Sequence, residues 1–406
     1  MDYAIVIVGA GPAGSTTAYF LSKMGYKVAL IDKSKFPRDK PCGGGLTGHV
    51  LKRFKHMLSD DVIETFSYGG ITYSPSLKNQ IKYVSEKPLT TLVLRKKFDY
   101  GLVKKAIEQG TDFIDGKKVI DVKVSSDKVT VKLDDKRKIS SDILVGADGV
   151  WSTVAKKTNL MEKNPLLGMS VVEEYEVKEE TMDKYFGKER LGYIHSKFKN
   201  LTGYGWVFPK KTHLNIGLGE IGHIHNKKTS NLKELYAEYI CLLKKQKLIP
   251  ENIKINKITG GALPVIPHKK TYANRVLLVG DAGGFINPAS GEGIYYAMAS
   301  GEIAAKTIKR ALDSEDTSEK FLSNYQKSWK RDFGKDLKLL YWVSKWQRSS
   351  KKSERNLILL KKDKKFRQLV IESMSGNLNL DKYKWKIIRR YIYCSIKFLF
   401  SKSEVK

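Results

Sequence analysis

The residues best suited to chemistry stand near the start of this 406-residue chain. Gly9-Ala10-Gly11-Pro12-Ala13-Gly14 follows an apolar run, Tyr3 to Val8, and leads into a helical stretch, Ser15 to Met24; Lys27 to Ile31 reads as a second strand ending in Asp32. This is the strand, turn, helix, strand unit that holds a dinucleotide. Gly9 permits the tight turn, Gly11 lets the backbone approach a pyrophosphate, and Gly14 lets helix and strand pack closely. The helix N-terminus offers amides and a positive dipole end, and Asp32 stands at the right distance for ribose hydroxyls. Within ten residues of Asp32, Pro41-Cys42-Gly43-Gly44-Gly45-Leu46 sets a thiol beside three glycines. Consecutive glycines cost backbone entropy, so they imply a close backbone approach or an unusual φ/ψ. Cys42 reads as a proton donor, a redox thiol or an inert small residue.

Four further segments carry signals. Ser141 to Gly149 is a buried-strand pattern running into Ala147-Asp148-Gly149, and Arg275 to Gly284 repeats that pattern around Gly280-Asp281. Asn287-Pro288-Ala289-Ser290-Gly291-Glu292-Gly293 is expected to open a long helix through Ala311, its small residues leaving amide donors accessible. In Gly203-Tyr204-Gly205-Trp206-Val207-Phe208-Pro209, strand alternation sends Tyr204, Trp206 and Phe208 to one face as an aromatic wall. On the residues alone, that face is either a packed core or a surface along which an apolar chain slides.

Composition narrows the class. Hydrophobic residues make up 41% of the chain, and no stretch nears the ~18 to 20 apolar residues that cross a bilayer, so an integral membrane protein is excluded. The start, Met1 to Val8, lacks a basic leader and is read as structure. Three cysteines, Cys42, Cys241 and Cys394, without a CxxC pair argue against a disulfide framework or a cysteine zinc site; no metal is expected, and a reducing, cytoplasmic setting fits. The net charge is +31, and residues 341–406 alone hold 18 basic and five acidic side chains. Such a field attracts anions without choosing among them. No nucleic-acid-binding motif accompanies it. Lys382 to Phe400 intersperses Trp385, Ile387, Ile388, Tyr391, Ile392 and Ile396 with Lys384, Lys386, Arg389 and Arg390. That pattern suits a peripheral helix on an anionic membrane surface as well as an ordinary amphipathic helix docked on the dinucleotide-binding domain.

The paired Asp148 and Asp281 segments, with Arg95-Lys96-Lys97-Phe98-Asp99 between them and the opening, resemble flavoproteins of the para-hydroxybenzoate hydroxylase and glutathione reductase superfamily. The cysteine-glycine loop and the Tyr204-x-Trp206-x-Phe208-Pro209 strand add a resemblance to the geranylgeranyl reductase family over about residues 1–310, nearest to its archaeal digeranylgeranylglycerophospholipid reductases. The resemblance implies FAD as cofactor. It places FAD contacts at Gly9, Gly11, Ala13, Gly14, Asp32 and Lys33, and at Cys42, Gly43, Gly44 and Arg95. Further contacts are implied at Ala147, Asp148, Gly149, Asp281, Gly291, Gly293 and Ile294. Catalytic roles fall to Cys42, Tyr204 and Trp206, and substrate contacts to Gly45, Tyr204, Trp206 and Phe208.

The implied fold is α/β, with a Rossmann-like FAD domain from 1–65, 95–155 and 260–311. An antiparallel-sheet substrate domain takes 66–94 and 156–259, and a helical C-terminal domain takes 312–406. The implied activity is saturation of isoprenoid C=C bonds in geranylgeranylated glycerophospholipids, with NADPH or ferredoxin as electron donor and a position on the inner face of the cell membrane left open. Departing from the superfamily, Ala155 stands where an arginine is common. The rival readings are a flavin-dependent monooxygenase or halogenase, a reductase of the chlorophyll side chain, and a non-catalytic basic protein.

Overall fold

The structure is a computed structural model that describes residues 1–223, 231–346 and 348–403. Those parts of the expected substrate and C-terminal domains that fall at 224–230, 347 and 404–406 lie outside the described residues. The chain opens with β1 (Tyr3–Val8), α1 (Pro12–Lys23) and β2 (Val28–Ile31), then β3 (Gly45–Thr47), α2 (Gly48–Phe54) and β4 (Ile63–Ser67). Next come β5 (Gly69–Tyr73), β6 (Gln80–Val84), β7 (Thr90–Val93), α3 (Arg95–Ile107) and β8 (Asp112–Ile114). A hairpin of β9 (Val119–Val124) and β10 (Val129–Leu133) leads to β11 (Lys138–Gly146) and α4 (Thr153–Lys157). The middle runs β12 (Leu167–Glu176), α5 (Glu179–Phe186), β13 (Gly192–Ser196), β14 (Gly203–Pro209), β15 (His213–His223) and α6 (Leu232–Lys245). Then follow β16 (Thr259–Pro264), β17 (Tyr272–Ala273), β18 (Val276–Leu278) and α7 (Ile294–Asp313). Helices α8 (Glu319–Trp329), α9 (Lys335–Trp346), α10 (Ser350–Lys362), α11 (Lys364–Met374) and α12 (Leu380–Ser403) complete it.

Among the described residues these strands form three sheets. In the first, β18, β11, β1, β2 and β8 run parallel, with β17 and the β9–β10 hairpin added antiparallel. Both faces are covered, as a parallel sheet requires. Alternation along β1 sends Ile5 and Ile7 into a core shared with α1, α3 and α7, while Val6 and Val8 enter one under the hairpin. The second sheet has the order β16-β12-β15-β14-β13-β5-β6. Val207, Leu214, Ile216 and Leu218 cover one of its faces and pack on Tyr236, Tyr239 and Ile240 of α6. The opposite residues of β14, Tyr204, Trp206 and Phe208, turn toward the first domain. A small sheet, β3-β7-β4, sits between them.

Three boundaries differ from the sequence reading. Strand β16 belongs to the second sheet, pairing Leu167 with Pro264 at its end, and β7 joins the small sheet. Residues 319–337 fold into the first domain's core through Leu322, Tyr325, Trp329, Phe333 and Leu337, with Phe285 and Trp329 rings 4.9 Å apart. Helical spacing shows that a face is apolar but not which neighbour covers it. Helices α10 to α12 form a core of their own, around Leu359, Phe366 and Cys394. Glu354 of α10 accepts from Ser76 and Asn79, and Glu372 of α11 accepts from Tyr83, so this unit docks on the edge strand β6. No described helix is long and apolar enough to cross a membrane.

The buried Tyr325 hydroxyl donates to the Leu278 carbonyl at 2.8 Å, tying α8 to the end of β18. Tyr325→Phe leaves that carbonyl short of a partner and should cost about 1 to 2 kcal/mol in urea denaturation while FAD content stays unchanged.

Candidate active site

Helix α1 begins with Gly11 as N-cap and no side-chain cap, which leaves its first-turn amides for a ligand. Gly9 has φ +101°, and a Cβ there would lie 2.3 Å from the Ala147 carbonyl oxygen. A Cβ at Gly14 would lie 1.9 Å from the Gly9 carbonyl oxygen. In front of Gly11 the nearest atom to such a Cβ is Arg38 Nη2 at 3.8 Å, so the approach to the helix end is open. Asp32 is buried, and its carboxylate accepts the amides of Ala10 and Ser34, each at 2.8 Å. Ala13 is buried behind the turn and Lys33 is exposed beyond Asp32. The cradle, the free amides and the fixed carboxylate fit the pyrophosphate and ribose of a dinucleotide.

Beyond the cradle a second group of side chains gathers. Arg95 opens α3, part-buried, and grips Asp99 through Nε and Nη2 at 2.7 and 2.8 Å. Arg38 Nη1 lies 3.0 Å from the same carboxylate. Burial alone would lower the Arg95 pKa, but the charge of Asp99, and after it that of nearby Cys42, more than reverses this. Burial raises the Asp281 carboxyl, opposed by Lys40 and Arg95. Lys40, Cys42, Arg95 and Asp281 therefore share one locus.

The Cys42 loop and the aromatic strand meet. A Cβ at Gly43 would sit 2.9 Å from the Phe208 ring and 3.5 Å from Trp206 Nε1. Gly44 has φ +71°, and a Cβ there would lie 2.2 Å from the Val93 carbonyl oxygen. Its amide donates to Cys42 Sγ at 3.4 Å. Gly45 opens β3 opposite Leu92. The Tyr204 and Trp206 rings lie 5.8 Å apart, and Trp206 and Phe208 6.3 Å apart, on one face as alternation predicts. Trp206 is itself buried, its ring lying over Gly217. The Tyr204 hydroxyl donates to the Ser290 carbonyl. Burial and then the Cys42 charge push the Tyr204 phenol up to about 12, so it stays a donor.

Asn215 joins these pieces, and the sequence reading passed it over. Its Nδ2 donates to the Cys42 carbonyl at 3.0 Å and to Glu174 at 3.2 Å, and its Oδ1 accepts from Trp206 Nε1 at 2.7 Å. Glu174 in turn holds the fully buried Lys210, which lies against Gly44. A signal was present, since an amide amid Leu214, Ile216 and Leu218 has to find a buried partner. Residues 287–293 also differ from expectation. They form a turn, with Gly291 at φ +74°, and α7 starts only at Ile294 after Gly293 as N-cap. Neither Pro288 nor Ser290 caps it; the Glu292 carboxylate does, accepting the Tyr295 amide at 2.7 Å. A Cβ at Gly293 would lie 3.6 Å from Asp281 Oδ1, so the turn borders the site. Asp148 accepts from the Ser152 hydroxyl at 2.5 Å and the Thr153 and Val154 amides at 2.6 and 3.2 Å. Its carboxylate is thus committed to the start of α4, beneath the Gly9 turn, and Gly149 faces open space.

A dinucleotide cradle stands beside the part-buried Arg95, Asp281 and Cys42, and residues 2–332 match the family described as FAD binding domain, which makes the chain a flavoprotein. An uncharacterised protein of Methanosarcina barkeri is 34% identical over 85% of this chain and 83% of its own length. Digeranylgeranylglycerophospholipid reductase of Methanocaldococcus jannaschii is 32% identical over 81% of this chain and 82% of its own. The crystal structure of a geranylgeranyl bacteriochlorophyll reductase-like protein from Thermoplasma acidophilum shares the fold, with a TM-score of 0.77 at 22% identity over 94% of this chain and 98% of that one. The chain belongs to the geranylgeranyl reductase family of FAD-dependent oxidoreductases.

Burial pushes the Glu292 carboxyl up to about 7 from its ordinary 4.5, only partly offset by the Tyr295 amide. Between those values the folded chain keeps a proton that the unfolded chain has lost, so stability falls as pH rises through this window and stays low above it. Glu292→Gln should remove the slope, making the variant more stable than the parent by about 3 kcal/mol near pH 8 and equal to it near pH 4 in paired urea titrations.

Proposed function

We propose that the chain saturates isoprenoid C=C bonds of geranylgeranylated glycerophospholipids, with NADPH or ferredoxin as the source of electrons. The observation that carries this reading is the seating of the cysteine-glycine turn on the Tyr204, Trp206 and Phe208 face, which sets a thiol and an aromatic surface at one locus. Reduced FAD, when bound, supplies the hydride equivalent that an isolated alkene needs. The chain's own groups do the rest. Asp99 fixes Arg95 near Cys42, whose Sγ accepts the Gly44 amide. Cys42 Sγ then gives a proton to the less substituted alkene carbon, and tertiary cation character develops on the other. Tyr204 and Trp206 stabilise that partial charge with their ring faces. Their polar ends are anchored away from the substrate, on Ser290 and Asn215, so the faces are held ready without reorganisation. The reaction requires the alkene within reach of the flavin and water kept out.

Anaerobic incubation of dithionite-reduced protein with a geranylgeranylated glycerolipid, followed by mass spectrometry, tests this. The lipid should gain the mass of two hydrogens for each bond saturated. FAD-loaded protein that leaves the lipid unchanged, or a reaction that demands oxygen and halide, would favour the monooxygenase or halogenase reading. Cys42→Ala should keep its FAD and slow saturation about tenfold or more; unchanged turnover would remove Cys42 from the proton path.

A further inference from the structure

Helix α12 carries two apolar stripes. Ile387, Tyr391, Cys394 and Phe398 pack with Leu359 and Phe366 of α10 and α11, and this stripe attaches the helix to the protein. On another face, Trp385, Ile388, Ile392 and Ile396 recur at spacings of three and four residues and are 65%, 37%, 50% and 49% exposed. Side chains so spaced line one side of a helix. Four large apolar groups in register, none of them needed for the local core, mark a surface that is covered in use.

Charge identifies the cover. Lys382, Lys386, Arg389 and Lys397 border the stripe and are exposed. None of them forms an ion pair among the described residues, whereas Lys384 and Arg390 on the same helix pair with Asp381 and Asp363. A second copy of the chain docked here would bring like charges face to face, because residues 341–406 hold 18 basic and five acidic side chains. Anionic headgroups instead meet both needs, with phosphates for the free cations and an acyl boundary for the stripe. We infer that this face of α12 docks on an anionic lipid bilayer. The helix lies in the plane of the surface, since no described helix can cross a membrane. The surface stands on exposure and charge alone, independent of the substrate assignment.

Holoprotein mixed with vesicles of phosphatidylcholine and graded phosphatidylglycerol tests the inference. Co-sedimentation should rise with the anionic fraction and weaken about tenfold as salt goes from ~0.1 to ~0.5 M, with a blue shift of tryptophan emission on binding. Ile392→Glu combined with Ile396→Glu should weaken binding about tenfold or more. Lys386→Glu combined with Arg389→Glu should do the same for anionic vesicles. Both variants alter exposed positions, so FAD content and thermal melting should match the parent. Binding that is absent, indifferent to acidic lipid, or unchanged in both variants overturns the proposal. So does a solution dimer that the isoleucine variant dissolves.

Discussion

Gly43 lies against the Phe208 ring with no room for a side chain, and the adjacent Cys42 carbonyl is held by Asn215 from the sheet behind that ring. Much of the site's order follows from this interlock. A loop of consecutive glycines has many conformations to lose, and here the second domain chooses one for it. The choice is enforced by a buried polar network: Asn215 satisfies the indole of Trp206, the loop carbonyl and Glu174, and Glu174 neutralises a lysine that reaches no solvent. In such a network each member's loss strands another, which makes the arrangement specific as well as stable. The thiol, the guanidinium beside it and the aromatic face are therefore positioned by groups that touch none of the reacting atoms.

Local signals made about half of this legible beforehand. The opening strand, turn and helix could be read because apolar period, glycine placement and a terminal acid all point the same way. The β14 face could be read because alternation fixes sidedness without knowledge of the neighbour. What escaped depends on partners distant in sequence. Asn215 and Lys210 acquire meaning only when residues 41–45 are laid across them. Nothing in the sequence around Asp148 shows that its carboxylate caps α4, as it does in the structure. The segment 287–293 offers residues that usually start helices, yet Glu292 performs the capping after a turn that places Gly291 at positive φ. Assigning 312–406 to one helical domain did not reveal that 319–337 would join the core of the first domain.

The C-terminal helices answer a different constraint. Strand β6 ends the second sheet, and an uncovered edge invites pairing with another chain. Glu354 and Glu372 occupy its turn and its tyrosine, bringing α10 and α11 alongside. On the other flank, Gly48 donates to the Ser375 carbonyl, and Lys52 reaches the carbonyls of Gly376 and Asn377. The same unit thus touches the sheet edge and the helix that follows the cysteine loop.

The hydrogen bond from Tyr204 to Ser290 spans two domains and 86 positions of sequence. It bears on how such proteins diverge and how they can be recombined. A graft that exchanges only the β12 to β16 segment between homologues imports an aromatic strand shaped to another scaffold's turn. The heritable module is instead discontinuous: the thiol loop, the β14 strand with its asparagine neighbour, and the 287–293 turn travel together or lose their fit.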